Sequence, residues 1–262
     1  MARYDPHPDR RAAVVTGASS GIGQATAVAL AEAGHPVVLG ARRVERCEET
    51  AAAIRAGGGQ AEAIHLDLHD GESVRAFAAE AESLAGPIEI VVSNAGDVRP
   101  TTTVGAEPDE FLRQISVNLL GPQRLVHELA PPMIERGRGD VVFVTSEVAL
   151  APRPNMAAYV ASKTGLEGMA HSMRMELEGS GVRVGIVRPG PSATEQGMTW
   201  DPDSIDVAID SWRHWGLLRH DGYLRPADVA AAVLAMVSVP RGTHFTVLEV
   251  QPEAPRPKGA TS

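Results

Sequence analysis

Short apolar runs alternate along the chain with longer stretches in which apolar residues recur every three or four positions. The short runs predict seven buried strands, at Ala12–Thr16, Pro36–Gly40, Gln60–Leu66, Ile88–Ser93, Asp140–Ser146, Val182–Arg188 and Phe245–Val250. The stretches between them predict helices, at Gly21–Ala33, Arg43–Ala56, Gly71–Leu84, Pro108–Arg136, Met156–Ser180 and Pro226–Val237. We expect the longest helix to bend at Gly121–Pro122.

Strands that alternate with helices in this way predict βαβ units and a parallel sheet. The predicted fold class is α/β, a single doubly wound Rossmann-type parallel sheet of about seven strands with helices on both faces. No linker-like stretch divides the chain, so we expect one domain over residues 1–251. The tail at 252–262 contains three prolines, and we expect it to be disordered.

One segment, Glu195–Tyr223, breaks the alternation and contains all three tryptophans, Trp200, Trp212 and Trp215. A loop-like insert of this length in a compact domain is usually functional. Its apolar composition predicts either a lid over a substrate or side chains packed in the core or at a subunit interface. The sequence leaves these two interpretations open.

Composition and charge exclude several classes of function. The 262 residues are 44% hydrophobic and 22% charged, with a net charge of −9, which argues against binding to nucleic acid or to anionic membranes. No apolar run reaches the ~18–20 residues of a membrane span, and the N-terminal residues have no apolar stretch typical of a signal peptide. The single cysteine, Cys47, cannot form an intramolecular disulfide. We therefore expect a cytoplasmic, reducing location.

A glycine-rich loop joins the first predicted strand to the first predicted helix. Gly17, Gly21 and Gly23 follow a G-x3-G-x-G spacing. Such glycines let the backbone turn tightly and approach a pyrophosphate, which the helix N-terminus also attracts. The alternative is an ordinary glycine turn, but the strand–turn–helix context favours nucleotide binding.

The second predicted strand is followed by two arginines, Arg42 and Arg43. A site for NAD places an acidic residue here to bind the ribose 2′-hydroxyl. An arginine instead can bind a 2′-phosphate. The position therefore favours NADP(H) over NAD(H), although two solvated arginines at a helix start are the alternative.

A tyrosine and a lysine lie four residues apart at the head of a predicted helix. Tyr159 and Lys163 would share one helix face, where an ammonium lowers the pKa of a phenol from about 10 and makes it a better acid–base catalyst. Only two of the 24 basic residues are lysine, Lys163 and Lys258. A surface Tyr/Lys pair is the alternative, but the scarcity of lysine favours a functional pair.

Several motifs, in order, resemble those of the short-chain dehydrogenase/reductases of about 250 residues, over roughly residues 11–250. Thr16–Gly23 is similar to the TGxxxGxG loop, and Asp67 to the aspartate that contacts adenine. Ser93–Gly96 is similar to the NNAG motif, with Ser93 in place of the first asparagine. Ser146 lies thirteen residues before Tyr159, as the catalytic serine of the family does. Further matches are Asn118, Pro189, Gly190 and Thr194.

The resemblance implies roles for these residues. Tyr159 would exchange the proton with the substrate, Ser146 would position the carbonyl, Lys163 would tune Tyr159 and bind the nicotinamide ribose, and Asn118 would hold a water that links Lys163 to solvent. The implied cofactor-binding residues are Gly17, Ser19, Ser20, Gly21, Ile22, Gly23, Arg42, Asp67, Leu68, Asn94, Ala95, Gly96, Tyr159, Lys163, Pro189, Gly190 and Thr194.

The leading hypothesis is an NADP(H)-dependent oxidoreductase that acts on a ketone or a secondary alcohol. The alternatives are a 3-oxoacyl-thioester reductase of the same fold and a non-catalytic NADP(H)-sensing protein. A lid interpretation of Glu195–Tyr223 would favour a hydrophobic small-molecule substrate. The resemblance also implies a homodimer or homotetramer built through Pro108–Arg136 and Met156–Ser180. His65, Asp67 and His69 could suit a metal by spacing, but we expect none, because adenine better explains Asp67.

Overall fold

The structure is a computed structural model, and it describes residues 5–195 and 200–255. Seven strands form one parallel sheet in this part of the chain: β1 (Ala12–Thr16), β2 (Val37–Ala41), β3 (Ala61–His65), β4 (Ile88–Ser93), β5 (Gly139–Val144), β6 (Val182–Pro189) and β7 (Val247–Val250). Their order across the sheet is β3-β2-β1-β4-β5-β6-β7. The predicted α/β class with a doubly wound Rossmann-type sheet is confirmed.

Helices cover both faces of the sheet. They are α1 (Gly21–Glu32), α2 (Val44–Ala56), α3 (Gly71–Ala85), α4 (Pro108–Ile115), α5 (Gly121–Glu135), α6 (Ala157–Glu176), α7 (Pro202–His214) and α8 (Pro226–Ser238). Buried residues of α3, α5 and α6 pack on one face, and buried residues of α1, α2 and α8 pack on the other. Burial on both faces explains why the strands β1, β2 and β4 are apolar almost throughout.

The long helix predicted over Pro108–Arg136 is interrupted. A π-helical segment, Ser116–Leu120, separates α4 from α5, so the irregularity precedes the expected bend at Gly121–Pro122. Gly121 packs tightly there, since a Cβ at this position would lie 2.6 Å from the Leu68 Cβ. The prediction missed the π segment because no proline or glycine marks it.

The segment Glu195–Tyr223 is not a loop-like insert over its whole length, because it contains α7. Asp201 caps this helix by accepting a hydrogen bond from the backbone N–H of Ser204 at 3.1 Å, and Pro202 occupies the first turn. The sequence interpretation missed this start signal. Residues 196–199 of the segment, Met198 among them, lie outside the described residues, as do 256–262 of the predicted tail. Residues 252–255 have no regular secondary structure.

None of the helices within 5–195 and 200–255 has the length and apolar character needed to cross a bilayer.

Candidate active site

A cleft opens at the carboxyl ends of β1 and β4, which are neighbours in the sheet although β2 and β3 lie between them along the chain. At this point the chain leaves β1 toward one face and β4 toward the other, which is where doubly wound sheets bind ligands. A cavity of about 430 Å³ lies there. It is lined by the glycine loop, the residues after β2, Asp67 and Leu68 after β3, and the stretch Asn94–Val98 after β4.

Hydrogen bonds hold the loops after β1 and β4 together. Thr16 Oγ1 accepts from the backbone N–H groups of Asn94 and Ala95, both at 3.0 Å, and Asn94 Nδ2 donates to the Thr16 carbonyl at 2.9 Å. Gly17 has a positive φ of 69°, and a Cβ on Gly23 would lie only 2.4 Å from the Gly17 carbonyl oxygen. These glycines are therefore required by backbone conformation and by close packing, and the loop presents its main chain to the cleft.

Arginines surround the end of the cleft beside β2. Arg42 and Arg43 both line the cavity. Arg43 Nη2 donates to the hydroxyls of Ser19 and Ser20 at 3.1 and 3.0 Å, and it lies 2.9 Å from Glu195 Oε2. Arg42 is exposed. This end of the cleft is cationic, as a site for a phosphate requires.

A second cavity, of about 340 Å³, contains Ser146, Tyr159 and Lys163. Ser146 follows β5, and the other two lie one turn apart on α6. The Ser146 hydroxyl accepts from the Val148 N–H at 3.4 Å, while Lys163 Nζ donates to the Val144 carbonyl at 3.0 Å and lies 5.7 Å from the centre of the Tyr159 ring. The fold thus brings together three side chains that can take part in acid–base chemistry. The second cavity adjoins the first, because Asn94, Gly96 and Thr194 line both.

The pKa of Tyr159 differs from the sequence prediction. Tyr159 is 8% exposed, and burial raises its pKa to about 12, offset only in part by the nearby Ser146 side chain. Burial also lowers the pKa of Lys163 to about 8, against an opposing influence from Glu167. In the protein alone, desolvation of the phenolate therefore outweighs the expected effect of the ammonium. The lysine still carries its charge at neutral pH.

A buried ion pair lies behind Lys163. Glu167, one turn further along α6, accepts hydrogen bonds from Arg188 at 2.9 and 2.7 Å and from the Thr145 hydroxyl at 2.7 Å. Burial opposes ionisation of Glu167, but these hydrogen bonds outweigh it and hold its pKa below the ordinary value. The pair therefore places a carboxylate on the same helix face as Lys163 and links it to the residue that precedes Ser146.

The side chain of Asn118 is fully occupied by protein groups. It lies in the π-helical segment and is completely buried. Its Nδ2 donates to the Asp97 carbonyl at 2.7 Å and to Ser162 Oγ at 3.0 Å, and its Oδ1 accepts from the Asp97 N–H at 2.7 Å. These bonds use both N–H groups of the amide, and the role of holding a water stays a prediction. The side chain ties the stretch after β4 to α6.

The tryptophan segment covers the second cavity. One face of α7 carries Ile205, Ala208, Ile209 and Trp212, and Ile205, Ile209 and Trp212 line the cavity together with Trp200. Trp200 Nε1 donates to the Val98 carbonyl at 2.9 Å, and Trp212 Nε1 donates to the Pro154 carbonyl at 2.8 Å. Trp215 differs, since it is 67% exposed. Two of the three tryptophans thus form a wall of the cavity and connect it to the loops beside it.

A sequence model of the short chain dehydrogenase family matches residues 11–204. The chain belongs to the short-chain dehydrogenase family. Members of this family are oxidoreductases that act on alcohols and carbonyl compounds, so the predicted class of enzyme is confirmed.

Individual relatives agree with this membership. The dehydrogenase is 31% identical over 241 residues to the 2,3-dihydro-2,3-dihydroxybenzoate dehydrogenase of Bacillus subtilis, a match that covers 90% of this chain and 91% of that protein. It is 33% identical over 243 residues to the glycine betaine reductase ATRR of Emericella nidulans, covering 92% of this chain but spanning only 19% of that relative's length.

Among solved structures, the dehydrogenase resembles an alcohol dehydrogenase from the archaeon Thermococcus sibiricus complexed with 5-hydroxy-NADP. The TM-score is 0.81 and the sequence identity 30%, over 95% of this chain and 99% of that one.

Nearly all residues that the sequence predicted for the site lie at the two cavities of this dehydrogenase. Gly23 and Asn118 are the exceptions, because they support the loops without lining either cavity. The sequence interpretation missed Glu195, and it missed the ion pair of Glu147 with Arg153, whose guanidinium lies 5.2 Å from the centre of the Trp212 ring. The position of Glu147 directly after Ser146 is the one local signal in the sequence that could have indicated this ion pair.

Proposed function

We propose that the protein is an NADP(H)-dependent oxidoreductase that transfers a hydride between the nicotinamide and a ketone or secondary alcohol, with Tyr159 as the general acid–base. The observation that carries this proposal is that Ser146, Tyr159 and Lys163 line one cavity, with Lys163 Nζ 5.7 Å from the centre of the Tyr159 ring, and that this cavity joins the cleft between β1 and β4. A proton donor is thereby held next to the space where a cofactor and a substrate can meet.

The chemistry of the cleft fits a dinucleotide phosphate. The main chain of the glycine loop is exposed to the cleft because Gly17 and Gly23 leave no room for side chains. Ser19, Ser20 and the N-terminus of α1 offer donors for a pyrophosphate, and Arg42 offers a cation for a 2′-phosphate. Asp67 and Leu68 would contact the adenine, whereas Pro189, Gly190 and Thr194 would contact the nicotinamide end.

Each catalytic side chain has a role in the proton transfer. When bound, NADP(H) supplies or accepts the hydride. In reduction, the Tyr159 hydroxyl donates its proton to the carbonyl oxygen, and the Ser146 hydroxyl donates a hydrogen bond to the same oxygen. The Lys163 ammonium then stabilises the phenolate that Tyr159 leaves behind, which lowers the cost of a step that burial alone makes difficult. In oxidation the proton moves in the opposite direction.

The second cavity supports a hydrophobic substrate. Trp200, Ile209 and Trp212 provide apolar walls, while the ion pair of Glu147 and Arg153 adds a charged patch apart from the catalytic side chains. A free sugar would leave many hydroxyl groups without partners against such walls. We therefore propose a ketone or secondary alcohol with a substantial apolar part.

A homo-oligomer and a cytoplasmic location complete the proposal. Exposed apolar side chains lie on the helices predicted to form the interface, with Leu112 58% and Met175 76% exposed. Such side chains favour a dimer or tetramer through α4, α5 and α6. The one thiol, Cys47, is buried and its pKa is raised to about 11 by burial, which fits a reduced, unreactive cysteine.

A spectrophotometric screen tests the proposed reaction. Ketones, keto-esters and secondary alcohols are supplied with NADPH, NADH or their oxidised forms, and the nicotinamide absorbance is followed. We expect turnover of apolar ketones with NADPH, and turnover lower by at least ~10²-fold in the Tyr159→Phe variant. Tight cofactor binding without turnover of any substrate would instead favour a non-catalytic sensing protein.

A further inference from the structure

A carboxylate stands inside the cationic end of the cleft. Glu195 lines the same cavity as Arg42, Arg43, Ser19 and Ser20. Its Oε2 lies 2.9 Å from Arg43 Nη2, and its Oε1 lies 2.6 Å from Arg46 Nη1. Hydrogen bonds from Arg46 and Arg43 hold the pKa of Glu195 below its ordinary value, so the group is an anion at neutral pH.

Arg43 is shared between this carboxylate and the phosphate-binding loop. Its Nη2 also donates to the hydroxyls of Ser19 and Ser20. A guanidinium that turns toward a phosphate would have to give up part of its contact with Glu195, because one nitrogen cannot serve all of these acceptors at full strength. Arg46 has no contact with the two serines and can keep Glu195 when Arg43 turns away.

We propose that Glu195 is a specificity residue for the cofactor, acting as an internal anion that competes with the 2′-phosphate of NADP(H) for Arg43. This inference rests on the proposed cofactor site. Arg42 and Arg43 line the cavity and Arg46 pairs with Glu195 from outside it. The cluster of these three arginines and one carboxylate carries a net charge of about +2, which matches a phosphate monoester of about −1.5 to −2. Without the carboxylate the pocket would be more cationic and would bind the dianion more tightly.

The competition discriminates between the two cofactors. The 2′-hydroxyl of NAD(H) carries no charge, so the charge of Glu195 has little effect on it. The 2′-phosphate of NADP(H) is repelled by Glu195 and attracted by Arg43, and both interactions change when the glutamate is neutralised. Because side chains here are roughly half exposed, at 44% for Glu195 and 47% for Arg43, screening limits the change in affinity to about tenfold at most.

Binding measurements on Glu195→Gln test the proposal without catalysis. Calorimetric titration with 2′,5′-ADP and with 5′-ADP isolates the 2′-phosphate from the nicotinamide end. We expect the variant to bind 2′,5′-ADP about three- to tenfold more tightly than the unmodified protein and 5′-ADP with unchanged affinity. The gain should shrink in roughly 1 M salt, where the Debye length falls to about 3 Å.

A matched control and a double variant identify the partner. Glu48→Gln removes the same charge from a Glu–Arg pair on α2, that of Glu48 with Arg55, neither of which lines the cleft; it should change neither affinity. In an Arg43→Gln background, the gain from Glu195→Gln should fall, since the competition is then absent.

Several outcomes would overturn the inference. Unchanged or weaker 2′,5′-ADP binding in Glu195→Gln would mean that the glutamate only orders the arginines, and an equal gain for 5′-ADP would mean a general effect on the loop. In both cases a preference of the unmodified protein for NADPH would leave the proposed function standing. Failure of the unmodified protein to bind NADPH, NADH or either fragment would overturn both.

Discussion

Glu167 and Arg188 form a buried, two-point ion pair one turn beyond Lys163, with Arg188 Nη2 2.7 Å from Glu167 Oε2. The carboxylate is 8% exposed and the guanidinium 9%. Since Arg188 lies near the end of β6 and Glu167 on α6, the pair joins the catalytic helix to the strand that leads to Pro189 and Gly190. Loss of either partner would leave an uncompensated charge next to the catalytic lysine.

The first prediction is that Glu167→Gln destabilises the protein strongly. The neutral amide leaves Arg188 buried with one less charge partner, so we expect a loss of about 3–5 kcal/mol in the free energy of unfolding, measured by urea denaturation. Glu249→Gln is the control, because Glu249 contacts the same Arg188 at 3.1 Å but is 45% exposed. It should cost less than about 1 kcal/mol. Equal losses in the two variants would contradict the special role of the buried pair.

The second prediction concerns the proton donor. Tyr159→Phe keeps the ring in its buried position but removes the hydroxyl, so turnover should fall at least ~10²-fold, the low end of general acid–base catalysis. Binding of NADPH, followed by calorimetry, should survive. Lys163→Arg should also lose activity, since a planar guanidinium does not replace a compact ammonium in a buried site. Turnover close to normal in Tyr159→Phe would exclude this tyrosine as the acid–base.

The third prediction concerns Arg42, an exposed arginine that lines the cleft and forms no hydrogen bond or ion pair with the described residues. Arg42→Ala should weaken NADPH binding by roughly tenfold or more and leave NADH unchanged, since a charge-assisted pair contributes ~1.5–3 kcal/mol. Arg75→Ala removes the same charge from α3, away from the cleft, and should change neither affinity. Equal affinity of the unmodified protein for NADPH and NADH would contradict the assignment of Arg42.

The fourth prediction is a pH dependence of stability that originates from Lys163. Its pKa is lowered to about 8 by burial, whereas in the unfolded chain it is about 10.4. Between these two values the unfolded chain binds more protons, so the free energy of unfolding should rise with pH across this window. The free energy of unfolding should be about 3 kcal/mol higher above pH ~10.4 than below pH ~8, and this gain is lost as pH falls through about 8.

Lys163→Met should remove this rise, as measured by urea denaturation at several pH values between about 7 and 10. Tyr159→Phe is the control for the window. The pKa of Tyr159 is raised to about 12, so its contribution is present below pH ~10 and is lost only as pH rises toward 12. If the free energy of unfolding still rises with pH in Lys163→Met as it does in the unmodified protein, the lysine is not the group responsible for the rise.

The fifth prediction separates the three tryptophans. Trp212→Ala removes part of the cavity wall, so KM for apolar ketones should rise several-fold or the substrate preference should change. Trp215→Ala should leave both unchanged, because this side chain is 67% exposed and does not line the cavity. Thermal unfolding and light scattering provide the further readouts. If Trp212→Ala unfolds or dissociates while its substrate preference stays unchanged, the lid interpretation is wrong.

Local patterns made much of this molecule predictable. The glycine loop at Thr16–Gly23 and the i,i+4 pair of Tyr159 and Lys163 could be predicted because each motif lies within eight consecutive residues. Asp201 and Pro202 were an equally local signal for α7 that the interpretation passed over. By contrast, Glu195 meets Arg46 across 149 positions of sequence, and no local pattern encodes such a contact.

Burial is the second reason that sequence reasoning stopped short. The i,i+4 spacing correctly places an ammonium near the Tyr159 ring, but the pKa of the phenol depends on how far folding removes it from water. The same applies to Asn118, whose amide could have faced solvent or a ligand and instead is completely buried with protein partners. Both properties arise from packing between elements that are distant along the chain.

The placement of the tryptophans gives the protein a built-in optical probe. All three indoles in the chain lie between 200 and 215, and two of them, Trp200 and Trp212, line the cavity, so the tryptophan fluorescence reports on this one segment. The buried Trp212 should emit toward the blue and the exposed Trp215 toward the red, while Trp200 is bonded to the stretch that follows β4. Ligand entry could therefore be timed in a stopped-flow instrument without a dye, with Trp215→Phe removing the signal that does not respond.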